Sequence, residues 1–132
     1  MIIDDSKTIR YSAEMFLTQA GCSVILAENG FDALSGLDQN DPDVILLDIE
    51  MPRLDGYQTC ALIRRSRKHG ATPVIMLSSK DGSFDVARGR LAGSQAHLAK
   101  PFSKAMLLEA VGTQISKHPL QASDEPVLER SN

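Results

Sequence analysis

The chain has 132 residues, a formal net charge of −3 and 42% hydrophobic residues, with no Trp. That length fits one domain of ordinary size and leaves little room for a separate output domain or a large enzyme. No apolar run approaches the roughly 18 residues of a membrane span, no secretory signal pattern is visible, and no basic tract invites nucleic acid as a direct ligand.

In chain order, short aliphatic runs alternate with longer amphipathic stretches. The runs are Ile2-Ile3, Val24-Ile25-Leu26, Val44-Ile45-Leu46-Leu47, Val74-Ile75-Met76-Leu77 and, more weakly, Ala96 to Ala99. Residues apolar in succession predict strands covered on both faces, as in a parallel sheet. Ile9, Ala13, Phe16, Leu17 and Ala20 form the stripe of a first helix stopped by Gly21. Weaker helical periods run over 30–39, 56–68 and 83–92, the last carrying Gly89. Leu107, Ala110, Val111 and Ile115 form a final stripe, with Ser103 placed to cap it. Five strand–helix alternations predict an α/β domain on a parallel sheet. Residues 118–132, polar and broken by prolines, are expected to form a disordered tail. Cys22 and Cys60 form no CxxC pair and read as reduced thiols of a cytoplasmic protein, Cys60 as a core residue.

The informative residues are those that follow the aliphatic runs: Asp4-Asp5 after the first, Asp48 after the third, Ser78-Ser79 after the fourth and Lys100 after the fifth. Open α/β sheets bind ligands outside the carboxyl ends of their strands. Three carboxylates, a hydroxyl and an ammonium are thus expected on one rim. One Lys leaves two of the three negative charges uncompensated, and like charges ~4 Å apart repel by ~4 kcal/mol at an effective dielectric near ~20. Either one Asp is protonated or a cation binds. Oxygen-only ligands favour a hard ion, Mg²⁺ rather than Zn²⁺. A carboxylate beside that ion can attack phosphorus and form an aspartyl phosphate, with Lys100 and Ser78 stabilising the transferred group.

On Asp4-Asp5-Ser6, Asp48 with Met51-Pro52 and Asp55-Gly56, Ser78, and Lys100-Pro101-Phe102, the sequence resembles the receiver domains of two-component response regulators, the CheY-like superfamily. The resemblance covers residues 1–116 and implies a flavodoxin-like (βα)5 doubly wound parallel sheet of order 2-1-3-4-5, with residues 1–117 as the receiver domain. It implies Asp48 as phosphoacceptor, Asp5 as a direct Mg²⁺ ligand together with Asp48 and the backbone carbonyl of Glu50, and Asp4 binding through water. Lys100 is implied to pair with the phosphoryl group, Ser78 to be the switch hydroxyl, and Lys100-Pro101 to be a cis peptide. Phe84, Arg88, Arg90, His97 and Lys104 fall on the implied helix 4–strand 5–helix 5 output face, where the alternative is an ordinary solvated surface. The stretches 51–63, 72–82 and 100–104 are similar to PilG-type regulators, single-domain receivers of type IV pilus chemosensory systems that control twitching motility. That implies a CheA-like histidine kinase as phosphodonor, a downstream protein target such as the pilus machinery, and catalysis of nothing beyond the chain's own phosphorylation and dephosphorylation. Another chemotaxis-like pathway, a phosphorylation-independent adaptor of the same fold, and a phosphatase-type enzyme are the alternatives.

Several positions depart from that pattern or leave two readings open. Only Met1-Ile2-Ile3 precede Asp4, where a strand has about five or six residues, so the first strand is expected to be truncated. His97 stands where the family usually has Tyr or Phe; it is either a retained rotamer switch or a partly buried ring. Glu50 and Lys80 either pair to shield the phosphoryl group or are solvated rim residues. Gly82, Gly89 and Gly93 suit a helix 4 that remodels easily. Asp55-Gly56 is expected to serve the turn into helix 3.

Overall fold

The computed structural model describes residues 1–79 and 83–117, with the backbone alone at 83 and 84. The expected tail 118–132, Lys80, Gly82 and the Phe84 ring lie outside the described residues. The elements are β1 (Ile2–Ile3), α1 (Lys7–Gln19), β2 (Leu26–Ala27), α2 (Gly30–Leu37), β3 (Ile45–Asp48), α3 (Gly56–Arg65), β4 (Val74–Ser78), α4 (Ser83–Ala92), β5 (Ala96–Ala99) and α5 (Lys104–Lys117). All ladders are parallel, and the strand order is β2-β1-β3-β4-β5.

The pleat explains why the central runs are apolar without interruption. Ile45 and Leu47 point to one face and Leu46 to the other, and both faces are buried. On one side Ala33 and Leu37 of α2 and Cys60 and Ile63 of α3 pack on Ile3, Ile45, Leu47 and Met76. On the other side Ala13 and Leu17 of α1 and Leu107 and Val111 of α5 pack on Ile2, Leu46, Ile75 and Leu77. Cys22 and Cys60 are free thiols, and burial pushes both up.

Local signals set the helix ends. Ser6 caps α1 by accepting from the Ile9 N–H. The same helix ends in a Schellman turn: Gly21 adopts φ 93°, its N–H donates to the Thr18 carbonyl, and the Cys22 N–H donates to the Leu17 carbonyl. Asp55 and Gln58 form a reciprocal capping box at α3. The second aliphatic run needs correction. Its ladder begins only at Leu26 and takes in Ala27, and Leu26 is 43% exposed. β2 is the sheet's edge, so the run is only partly covered: Val24 packs half-buried on one core layer and Ile25 on the other, while Leu26 is left exposed. Among the described residues no helix is long and apolar enough to cross a membrane.

The amino end of β1 is tightly confined. The Met1 ammonium is buried and donates to the Val44 carbonyl at 2.9 Å. A cavity of about 250 Å³ lies beside it, lined among others by Leu17, Ile25, Val44, Val111 and Ile115. Burial lowers this ammonium from 8.0 to about 5, against the opposing pull of Asp43 and Cys22. A base with a depressed folded pKa penalises folding most below pH about 5, and the penalty fades as pH rises to about 8. An Nα-acetylated chain keeps the N–H donor and loses the charge. Urea midpoints are therefore expected to favour the acetylated chain at pH 5, with the gap closing by pH 8.

Candidate functional site

The rim formed by the carboxyl ends of β1, β3, β4 and β5 gathers the residues singled out in the sequence. Asp4 follows β1 and is fully buried; Asp48 is the last residue of β3 and is 1% exposed. Asp48 pairs in register with Leu77, and Ser78 pairs with Ala99. Both functional side chains thus sit on ladder residues rather than on loose loops, which fixes them more tightly than a loop would.

Lys100 closes the constellation. Its ammonium donates to Asp48 Oδ1 at 2.9 Å and to Asp4 Oδ2 at 3.2 Å, and its side chain is 14% exposed. The Lys100 backbone N–H donates to the Ser78 carbonyl at 2.7 Å, and the Lys100-Pro101 peptide is cis, as expected. Asp4 Oδ1 accepts from the Ser6 N–H, and Arg10 Nη1 donates to the Asp4 carbonyl. The Glu50 N–H donates to Asp48 Oδ1 at 3.1 Å. Asp5 is exposed, and one carboxylate oxygen each from Asp4, Asp5 and Asp48 lies within 4.8 Å of the others.

This arrangement is short of positive charge. Burial pushes Asp48 up from 3.8 to about 7; the hydrogen bond from Lys100 opposes the rise and the charge of Asp4 adds to it. For Lys100, burial alone would lower the pKa, but the hydrogen bond to Asp48 and the nearby charges of Asp4 and Asp48 outweigh it and raise it. Three hard oxygen donors facing one ammonium fit a small divalent cation such as Mg²⁺, whose charge would oppose the burial and the Asp4 repulsion that raise Asp48.

The remaining singled-out residues divide. Glu50 is exposed and accepts from Ser79 Oγ at 3.0 Å; its expected partner Lys80 lies outside the described residues. His97 pairs with Met76 in β5 and is half-buried, and its Nε2 is buried with no hydrogen-bond partner among the described residues. Arg90 is exposed. Lys104 donates to Gln19 Oε1 of α1 at 2.9 Å. Arg88 turns toward α3, its guanidinium 4.2 Å from the centre of the Tyr57 ring. Sequence reasoning missed Tyr57 as a site neighbour and missed Leu91, which is 89% exposed on α4. It also understated Gly56. A Cβ there would lie 2.3 Å from the Asp48 carbonyl oxygen and 2.7 Å from Ile49 Cα, so the start of α3 rests on the backbone of Asp48 itself.

The chain belongs to the response regulator receiver domain family, which matches residues 1–112. It is 57% identical to the protein PilG of Pseudomonas aeruginosa over 115 residues, covering 87% of this chain and 85% of that one. It is 34% identical to PilH of the same organism over 116 residues, 88% of this chain and 96% of that one. Among solved structures it is similar to the chemotaxis response regulator CheY4 of Vibrio cholerae (TM-score 0.82, 29% identity, 86% and 94% of the two chains). It is likewise similar to the receiver domain of the Francisella response regulator 1452 (TM-score 0.81, 32% identity, 89% and 95%). The protein is therefore a receiver-domain response regulator. Membership implies in general a histidine kinase that supplies phosphoryl groups and a downstream target that reads the result.

Two outcomes test the geometry. A carboxyl with a raised folded pKa stabilises the fold while protonated, and that contribution is lost as pH rises from about 4 to about 7. In chelator-containing buffer the denaturation midpoint of the parent chain is expected to fall relative to Asp48→Asn over that window. Parallel curves would show that Asp48 titrates normally. Gly56→Ala forces backbone to move at Asp48 and is expected to cost on the order of 1–3 kcal/mol, measured by urea unfolding.

Proposed function

We propose that this chain is a stand-alone phosphorylation switch in which Asp48 accepts a phosphoryl group. The observation that supports it most is Lys100 spanning Asp4 and Asp48 at the strand ends, with Asp5 completing a cluster of hard oxygen donors. Asp48 acts as nucleophile on the phosphorus of a phosphohistidine. A P–O bond forms, the P–N bond breaks, and the departing imidazole nitrogen keeps the electron pair and takes a proton from solvent. Lys100, already 2.9 Å from Asp48, remains beside the new dianion and pairs with its oxygens. The Ser78 hydroxyl, at the end of β4, donates to the same group. Mg²⁺, held by Asp5, Asp48 and the Glu50 backbone carbonyl with Asp4 behind a water, would supply the charge neutralisation that brings two anions together.

The movement of Ser78 then biases the α4–β5–α5 face, and the His97 ring on β5 follows. The output is a population shift in binding to another protein, and catalysis is confined to the chain's own phosphorylation and dephosphorylation. The likeness to PilG and PilH supports a place in a chemosensory system governing type IV pilus twitching motility, with a CheA-like kinase as donor.

Incubation with Mg²⁺ and acetyl phosphate tests the reading. An adduct seen by mass spectrometry and lost in Asp48→Ala is the expected result. Absence of an adduct in the parent chain would instead make it an adaptor, and rapid turnover of unrelated phosphate esters would make it an enzyme.

A further inference from the structure

α4 is attached differently from the other helices. α1, α2, α3 and α5 each drive at least two side chains into the core. Among the described residues of α4, only Gly89 is buried, and it has no side chain to pack; Ala92, half-buried, is the residue that touches the core. Two residues of α4 spaced three apart, and so on one face, both meet Tyr57 of α3. The Tyr57 hydroxyl donates to Asp85 Oδ1 at 3.4 Å, and the Arg88 guanidinium lies over the face of the same ring at 4.2 Å. Tyr57 itself is buried, so one ring is gripped at its face and at its tip. Just past the far end of α4, Arg64 Nε of α3 donates to the Gly93 carbonyl at 2.8 Å.

We propose that Tyr57 is a clasp that holds α4 against α3 in the unphosphorylated chain and that opening it releases α4. Two contacts connect the clasp to the aspartate. Gly56, the residue before Tyr57, rests on the Asp48 carbonyl. A cavity of about 270 Å³ joins Ile49 and Glu50, the residues that follow Asp48, and Ser78 to Tyr57, Asp85 and Arg88 of the clasp. A new dianion on Asp48 attracts Arg88 across that cavity and repels Asp85, so it weakens both grips on the ring at once. This trigger rests on Asp48 being the acceptor; the clasp itself does not. Burial and the charge of Asp85 raise the Tyr57 phenol above its ordinary 10.0, which accords with the contact.

Amide hydrogen exchange on the unphosphorylated full chain tests the clasp. Tyr57→Phe removes the hydroxyl and keeps the ring, and Arg88→Ala removes the cation. Each is expected to accelerate exchange of amides 86–92 roughly two- to ten-fold, the range of one hydrogen bond or cation–π contact, while α1, α2 and α5 keep their rates. Unchanged α4 rates, or equal acceleration in every helix, would overturn it. In a Tyr11→Phe background Tyr57 is the sole phenol, and Asp85→Asn is expected to lower its titration; an unmoved titration would equally refute the contact. Under Mg²⁺ and acetyl phosphate, with adduct counted by mass, α4 exchange in the parent chain is expected to approach that of resting Tyr57→Phe. Full adduct with unchanged α4 rates would sink the trigger, whereas no adduct would be a failure of the Asp48 reading and leave the resting results to decide the clasp.

Discussion

The fold is organised around one ammonium held between two buried carboxylates. Carboxylates at the ends of β1 and β3 are costly to bury, and a single positive charge within 3.2 Å of both makes their burial tolerable. That charge is placed by backbone. The N–H of Lys100 is tied to the Ser78 carbonyl, Asp4 is oriented by the Ser6 N–H, and Asp48 is oriented by the Glu50 N–H. Without Lys100, two buried carboxylates would face each other with no cation between them, and keeping both ionised would be costlier still. The position of Lys100 just past the end of β5 also explains why the strand ends converge: β1 and β3 must deliver their carboxylates within reach of one side chain.

The two sides of the sheet divide the labour. α1 and α5 pack aliphatic side chains against Ile2, Leu46, Ile75 and Leu77, and the polar link between them, Lys104 to Gln19, lies at the exposed surface rather than in that packing. The opposite layer grades from α3, with Cys60 and Ile63 fully buried, to α4, which leans on α3 through Tyr57 and Arg64. Apolar packing is lost only by exposing surface to water, whereas a polar clasp can exchange one partner for another at little cost. An element that must shift without unfolding the domain is better held in the second way. The 89% exposure of Leu91 on that same helix leaves an apolar contact available on the element that the proposed clasp would release.

Much of this was legible in the sequence because a parallel sheet writes itself as aliphatic runs, and its site as the polar residues that follow them. Asp4, Asp48, Ser78 and Lys100 could be placed on one rim without any knowledge of distances. β2 was misjudged because an edge strand and a central strand share the same short apolar run; only the ladder reveals that Leu26 lies at the sheet's edge, where it stays 43% exposed. The need for Gly56 was invisible because the atom it must avoid is the carbonyl of Asp48, eight positions earlier and brought close only by the turn. Arg64 gave no signal either. It looks like a surface cation on α3, yet it donates to the carbonyls of His69, Gly70, Thr72 and Gly93 and to Gln95 Oε1. Tyr57 reads as a core aromatic until α4 is set beside it.

What the sequence foresaw as a charge imbalance is, on the proposed reading, the feature that would make the site responsive. A fully compensated cluster would be a structural ion pair with no reason to bind anything further. Here three carboxylates share one ammonium, and burial raises Asp48 to about 7, within reach of neutral pH. A phosphoryl group adds negative charge to a place already short of positive charge, so on the proposed reading the modified state cannot be held by Lys100 alone. It has to recruit charge and donors from around the rim: a cation on Asp5 and Asp48, the Ser78 hydroxyl, and, across the cavity beside it, Arg88. Of the recruits other than the cation, Ser78 sits at the buried end of β4 and Arg88 on α4, which among the described residues buries no side chain fully. The deficit at the strand ends is thus balanced by moving the elements that cost least to move, which is how a change of charge at one residue becomes a change of surface elsewhere.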